Sequence, residues 1–261
     1  MKRIGDVMKT ITIPIGPDRN GGPPPAPPVK CALCQDAGYV RLDVPIDHPR
    51  FGSIVPCSCR VREQQGRTRD DLRKLSNLDG FEQYDFDDFD SDVPGTENAF
   101  EIAIAFAENP EGWLFLHGPC GVGKTHLAVA IARHFLEHQS GSVLFQVVPD
   151  LLDQLRATFD PSRGVAYDER FEQIRDAGLL VLDDLGTENT TPWAREKLYQ
   201  IFNHRYNERS PTVVTSNQEL RLIDERVASR LLDSHLSTVV EVDAEDFRRR
   251  GRADYVRARR R

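Results

Sequence analysis

The sequence has no long hydrophobic run. Its longest uninterrupted apolar stretch is about six residues, Ile102 to Ala107, against the roughly 20 that a helix needs to cross a bilayer. A membrane-spanning helix is excluded. The opening Met-Lys-Arg-Ile-Gly-Asp leads into no apolar segment of the secretory type, which predicts a cytoplasmic protein. Cysteine is scarce, at five in 261 residues, a poor basis for a disulfide framework in a reducing compartment. An overall positive charge is lacking too: 34 basic against 41 acidic groups give −7, so the chain is not one that coats nucleic acid along its whole surface. No internal repeat is visible, and that removes solenoid architectures.

What remains is the composition of a soluble protein with one large or two modest domains, 39% hydrophobic and 29% charged. The charge is unevenly placed. Residues 247–261 hold eight arginines and one acid, Asp254, while the rest of the chain carries −14. An Arg-rich tail on an acidic body suits either a local anionic partner or a solvated terminus.

Composition divides the chain further. Residues 1–29 end in Gly-Gly-Pro-Pro-Pro-Ala-Pro-Pro, a flexible Pro-rich terminus that cannot join a core. Residues 30–60 are a cysteine-bounded module, and 61–78 read as a charged linker helix. Residues 79–246 form an α/β domain whose first stretch interleaves acids with Phe81, Tyr84, Phe86 and Phe89. Helices are expected over 97–108, 124–138, 149–159, 168–176 and from Thr191. Short apolar strands are expected at 113–117, 142–148, 179–182, 212–215 and 238–242. Strands alternating with helices imply a parallel sheet covered on both faces. In the helix after Thr191, residues Ala194, Leu198, Ile201, Phe202 and Arg205 share one face.

Gly118-Pro119-Cys120-Gly121-Val122-Gly123-Lys124-Thr125 matches G-x4-G-K-[ST] in full, between an expected strand and an expected helix. Glycines let the backbone approach phosphates, and successive N–H groups with the helix N-terminus supply positive potential. Lys124 is expected on the β- and γ-phosphates and the Thr125 hydroxyl on Mg²⁺. Cys120 and His126 read as space-fillers. Asp183 and Asp184 end an apolar strand, where ligands bind in open α/β sheets. Asp183 is the second Mg²⁺ ligand, and Asp184 the acid that orients or deprotonates the attacking water. Glu188 is a reserve carboxylate. Thr215-Ser216-Asn217 closes the next strand, and Asn217 can bond the γ-phosphate or the water.

Four of the cysteines are paired by spacing: Cys31 and Cys34, then Cys57 and Cys59. Two close pairs of thiolates can enclose one Zn²⁺ as a structural site in a ribbon-like fold. Tyr39-Val40 and Phe51-Gly52 are candidates for its small core. Free thiols and redox chemistry are the other readings, and His48 is not included among the ligands.

Over about residues 76–250 the order and spacing of these elements resemble the DnaC/DnaI/IstB group of AAA+ ATPases. The carriers are Gly-Pro-Cys-Gly-Val-Gly-Lys-Thr, then Leu-Leu-Val-Leu-Asp-Asp-Leu-Gly-Thr-Glu, then His-Arg-Tyr before Pro-Thr-Val-Val-Thr-Ser-Asn. The resemblance implies an AAA+ P-loop NTPase core with little or no helical lid, hydrolysing ATP. Position by position, Asn217 matches sensor 1 and Arg230 the arginine finger that completes a neighbouring subunit's site. Arg248 matches sensor 2, with Arg249 and Arg250 as alternatives in Asp-Phe-Arg-Arg-Arg. Asp184 stands where many such proteins carry Glu, which implies slow hydrolysis. The segment of Tyr84 and Phe89 resembles the family's lead-in to the core, bordering the adenine.

An arginine finger makes turnover depend on assembly, so a homo-oligomer is implied when ATP is bound. In loaders of this group the region before the ATPase grips the helicase, and some members bind zinc there. The resemblance therefore implies a protein that loads a replicative DnaB-type helicase onto single-stranded DNA through its cysteine module. Two other readings stay open, an IstB-like helper of a DNA transposase and an ATP-gated adaptor with weak hydrolysis.

Overall fold

The structure is a computed structural model that describes residues 29–63, 76–139, 141–158, 164–187 and 191–249. The Pro-rich terminus up to residue 28, most of the expected linker helix, Glu188 and the tail from Arg250 lie outside the described residues. The chain divides into two compact units, Met1–Val61 and Arg62–Arg261.

In the first unit, β1 (Tyr39–Arg41) and β2 (Ile54–Pro56) pair antiparallel, with Tyr39 opposite Pro56 and Arg41 opposite Ile54. This is the expected ribbon, but not the expected core. Tyr39 and Phe51 are each 43% exposed, and their rings are covered by guanidinium groups, Arg60 over Tyr39 at 4.3 Å and Arg41 over Phe51 at 4.9 Å. The strands have three residues each, too few to enclose an aromatic side chain. Among the described residues of this unit only Cys34 and Cys57 are buried.

The second unit begins with aromatic-rich single turns over Asn77–Phe81 and Phe86–Asp88. There follow α1 (Glu97–Glu108), β3 (Trp113–His117), α2 (Lys124–His138), β4 (Val143–Val147), α3 (Val148–Thr158) and α4 (Gly164–Arg175). Next come β5 (Leu179–Asp183), α5 (Pro192–Asn207), β6 (Thr212–Ser216), α6 (Glu225–Leu231) and β7 (Ser237–Glu241). The sheet is fully parallel in the order β4-β5-β6-β3-β7.

Strand alternation divides the core between the two faces. Trp113, Phe115, Leu180, Leu182 and Val214 pack with residues of α3, α4, α5 and α6. Leu114, Leu116, Leu179, Val181 and Val213 pack with residues of α1 and α2. Burial on both faces explains why these strands read as continuous apolar runs.

The five residues expected on one face of α5, Arg205 included, are all buried. The helix opens as its sequence suggests: the Thr191 hydroxyl accepts from the Ala194 N–H, and Pro192 follows it. Helix α6 was not expected as an element. The Asp224 carboxylate caps it by accepting from the Arg226 N–H, and it buries only Val227 and Leu231.

The register brings the chemistry to one edge. His117 pairs with Ser216 and Leu116 with Thr215, while Leu182 pairs with Val214. The phosphate loop, the acidic pair and Asn217 therefore all leave the C-terminal ends of adjacent strands, where open α/β sheets hold ligands.

Candidate functional site

The loop from Gly118 to Thr125 is shaped by backbone that only glycine adopts freely. Gly118 has φ +141°, and a Cβ there would lie 2.3 Å from the Val242 carbonyl oxygen. Gly121 has φ +81°, and its Cβ would overlap the Asp246 carboxylate. Gly123, at φ +100°, is the N-cap of α2. A glycine-rich loop running into a helix N-terminus is the arrangement that binds anionic oxygens, and the Gly118 N–H within it donates to the Ser216 carbonyl at 3.3 Å. Lys124 is buried, and its ammonium donates to the carbonyls of Gly118 at 2.8 Å and Pro119 at 2.5 Å. Burial holds its pKa below the lysine range, while Cys120, Asp183 and Asp184 pull the other way.

The Thr125 hydroxyl donates to the Asp183 carboxylate, 3.0 Å from Oδ1 and 3.1 Å from Oδ2. Two residues 58 positions apart thus present hard oxygen donors side by side, the donor type that Mg²⁺ takes. Asp183 is 5% exposed. Burial raises its pKa, and hydrogen bonds from Thr215 and Thr125 oppose that rise. Asp184 has φ +62°. Its Oδ1 accepts from Asn217 Nδ2 at 2.5 Å and its Oδ2 from the Thr187 hydroxyl at 3.0 Å.

The structure places the two described arginines of the tail differently. Arg249 is paired with Asp246 at 3.2 Å and is highly exposed. Arg248 donates its N–H to Asp246, and its charge acts on Lys124. Arg230 is held against α5: its Nη2 donates to Asn203 Oδ1 at 2.6 Å, and its guanidinium lies 5.0 Å from the Tyr199 ring and 5.4 Å from the Tyr206 ring.

Sequence reasoning missed the part His126 plays. Its ring stacks on Tyr84 at 4.8 Å and meets the Phe89 edge at 5.2 Å, while Nε2 lies 2.7 Å from the Asp85 carbonyl. His126 thereby ties the aromatic segment to the first turn of α2. The only signal in the sequence was its place directly after Lys124-Thr125. Thr187 and Thr215 were missed as well.

Among the described residues, one group has metal-ligand character: Cys31, Cys34, Cys57 and Cys59, with all four Sγ atoms within 4.8 Å of one another. Cys31 and Cys57 are 3.7 Å apart, Cys34 and Cys59 3.4 Å. A tetrahedral S4 site with bonds near 2.3 Å requires sulfurs about 3.8 Å apart. The set therefore fits one tetrahedral ion. N–H groups of Cys34 and Leu33 draw the Cys31 thiol down to about 6, while its bond to Cys34 pushes Cys59 up to about 12. The Asp36 carboxylate, accepting from the Lys30 and Cys31 N–H groups, braces the first knuckle.

A family model described as IstB-like ATP binding protein matches residues 57–254. An ATP-binding protein of insertion sequence IS5376 from Geobacillus stearothermophilus is 28% identical over 199 residues, 73% of this chain and 77% of that protein. The replicative helicase loader DnaC of Buchnera aphidicola subsp. Schizaphis graminum is 28% identical over 183 residues, 69% of this chain and 73% of the loader. The chromosomal replication initiator protein DnaA of Onion yellows phytoplasma is 29% identical over 181 residues. That match takes in 64% of this chain and only 33% of the initiator's length. Among solved structures, the DnaC helicase loader shares the fold with a TM-score of 0.53 and 24% identity, over 62% of this chain and 99% of that one.

Proposed function

The chain belongs to the family of IstB-like ATP-binding proteins, and from that premise we propose that it is an ATPase that loads a DnaB-type replicative helicase onto single-stranded DNA. Its parallel sheet is the AAA+ P-loop fold. The observation that carries the ATPase reading is the convergence of Lys124, Thr125, Asp183, Asp184 and Asn217 at one sheet edge.

Bound Mg-ATP supplies the phosphoanhydride and a dication that offsets charge on its phosphate oxygens. The amides from Cys120 to Thr125 and the N-terminus of α2 hold the phosphates, and Lys124 exchanges its two carbonyl partners for phosphate oxygens. Thr125 and Asp183 hold the dication. Asp184 orients the attacking water, and Asn217, which now grips that carboxylate, is placed to sense the γ-phosphate. Arg248 adds positive charge beside the loop. Arg230 on α6 serves a neighbouring protomer, so turnover requires assembly of ATP-bound copies. The cysteine module holds Zn²⁺ and docks the helicase. The DnaC relative supports this reading.

The insertion-sequence relative, at the same 28% identity, favours a second reading, a helper of a DNA transposase. The two separate in a reconstitution with purified full-length protein and either a DnaB-type helicase or the transposase of a matching insertion element. Helicase delivery to a protein-coated DNA fork is expected with ATP, and is abolished by Lys124→Ala. A Cys31→Ser, Cys34→Ser double variant should hydrolyse ATP but fail to bind the helicase. Strand transfer stimulated equally by that double variant would replace the loader reading. ATP binding with turnover no higher than that of Lys124→Ala would make the protein an ATP-gated adaptor.

A further inference from the structure

We propose that Thr215 is a positioning residue of the ATP site, whose hydroxyl ties the cation-binding acid to the water-orienting acid. The inference rests on the ATPase reading for the roles of those two acids. Thr215 lies on β6 and is 2% exposed. Its Oγ1 donates to Asp183 Oδ1 at 2.6 Å and accepts the Asp184 N–H at 2.9 Å. A hydroxyl has one proton and two lone pairs, so the proton goes to one acid and a lone pair to the backbone of the other. The Thr215 carbonyl accepts from the Leu185 N–H at 2.9 Å, which fastens the far side of the same turn.

The consequence for Asp183 is a carboxylate gripped from two directions. Thr125 reaches it from the first turn of α2 and Thr215 from β6. Partners of this kind fix a metal-ligating carboxylate in the orientation that binding needs. The consequence for Asp184 is a fixed backbone. A residue with a Cβ is uncommon at φ +62°, and the bond to Thr215 holds its N–H there. From that backbone the side chain reaches Asn217 and Thr187.

Packing alone does not call for a hydroxyl at this position. Val213 and Val214 precede it on the strand with no exposure, and valine would fill the same volume without burying a polar group. Among the described residues the hydroxyl bonds only to the two acids.

Thr215→Val keeps the shape and removes the hydroxyl, and Thr215→Ser restores the hydroxyl without the methyl. The measurement is the Mg²⁺ concentration giving half-maximal binding of a fluorescent ATP analogue to the full-length protein, with kcat, KM and melting temperature alongside. For Thr215→Val the Mg²⁺ midpoint should rise and kcat fall, each about tenfold, with KM and Mg²⁺-free affinity within about twofold. Thr215→Ser should stay within about threefold of wild type on both readouts. An unchanged Mg²⁺ midpoint in Thr215→Val overturns the proposal, whatever its melting temperature, and so does a serine variant as impaired as valine. If the wild type binds Mg-ATP but does not hydrolyse it, the ATPase reading fails while the midpoint shift still decides the role of Thr215.

Discussion

Arg205 is a charge buried against neutral acceptors. Its side chain is 1% exposed, and it donates to the carbonyls of Arg175, Ala177 and Pro211 and to the Thr212 hydroxyl. These acceptors belong to the end of α4, the residues before β5 and the start of β6, so one guanidinium ties α4 to the point where β5 and β6 begin to pair, Leu180 opposite Thr212. Burial draws its pKa down to about 9, with Asp176 opposing the shift. A planar five-donor fork can satisfy this set, whereas an ammonium cannot. Arg205→Met would take the charged donor from the Arg175 and Ala177 carbonyls, while Pro211 keeps the Leu180 N–H and Thr212 its bond to Ser210, and should destabilise the second unit by about 3 kcal/mol. For a domain of this size that lowers the melting temperature by roughly 6 to 12 °C. Arg205→Lys should recover less than half of the loss. A calorimetric scan checks both, and a methionine variant melting within about 2 °C of wild type would show the acceptors to be satisfied otherwise.

At the scale of elements, the aromatic segment before α1 is held by α2. The His126 ring stacks on Tyr84 and its Nε2–H donates to the Asp85 carbonyl, while Arg133 lies 3.6 Å from the Asp85 carboxylate. Phe89 lies face to face with Phe100 of α1 at 5.4 Å. Ring contacts of this kind contribute about 0.5 to 1.5 kcal/mol each. His126→Ala should speed amide exchange across residues 81–89 by about tenfold, and His126→Phe, which keeps the ring and loses the hydrogen bond, should fall between. Equal exchange in all three proteins would mean that Phe86 and Phe89 hold the segment without it.

This element also marks where the sequence was legible. Apolar runs and helical periodicity located the strands and long helices because burial imposes those periods, and the phosphate loop was readable because its residues are contiguous. Helix α6 escaped because it has one turn of apolar spacing, Val227 to Leu231, and its cap is a common Asp. The tie from His126 to Asp85 escaped because its acceptor is a backbone carbonyl, which no side-chain pattern announces. Thr215 escaped because its two bonds depend on strand register across 32 and 31 positions. The ribbon's core was misassigned to aromatics because two three-residue strands cannot close over them.

At the scale of the whole molecule, two units of unequal means share one chain. The second unit has two apolar cores, one on each face of its sheet, and stands on burial of hydrophobic surface. The first unit has no such resource among its described residues: Cys34 and Cys57 alone are buried, and a segment this short is below the size at which a hydrophobic core suffices. Its four sulfurs lie within 4.8 Å of one another. Backbone N–H groups favour a thiolate at Cys31, while Cys59 is held strongly as a thiol by the sulfurs around it. The dication proposed for this site would let all four ionise, and its binding energy would become folding energy for the ribbon. Removing zinc with a chelator, or substituting Cys57→Ser, should collapse the dispersed amide signals of residues 30–61. The melting transition of the second unit and its affinity for ATP should stay as they were. If the ribbon's signals survived metal removal, the cysteines would be packing groups, and if the second unit's transition fell by more than about 2 °C, its stability would depend on the metal too.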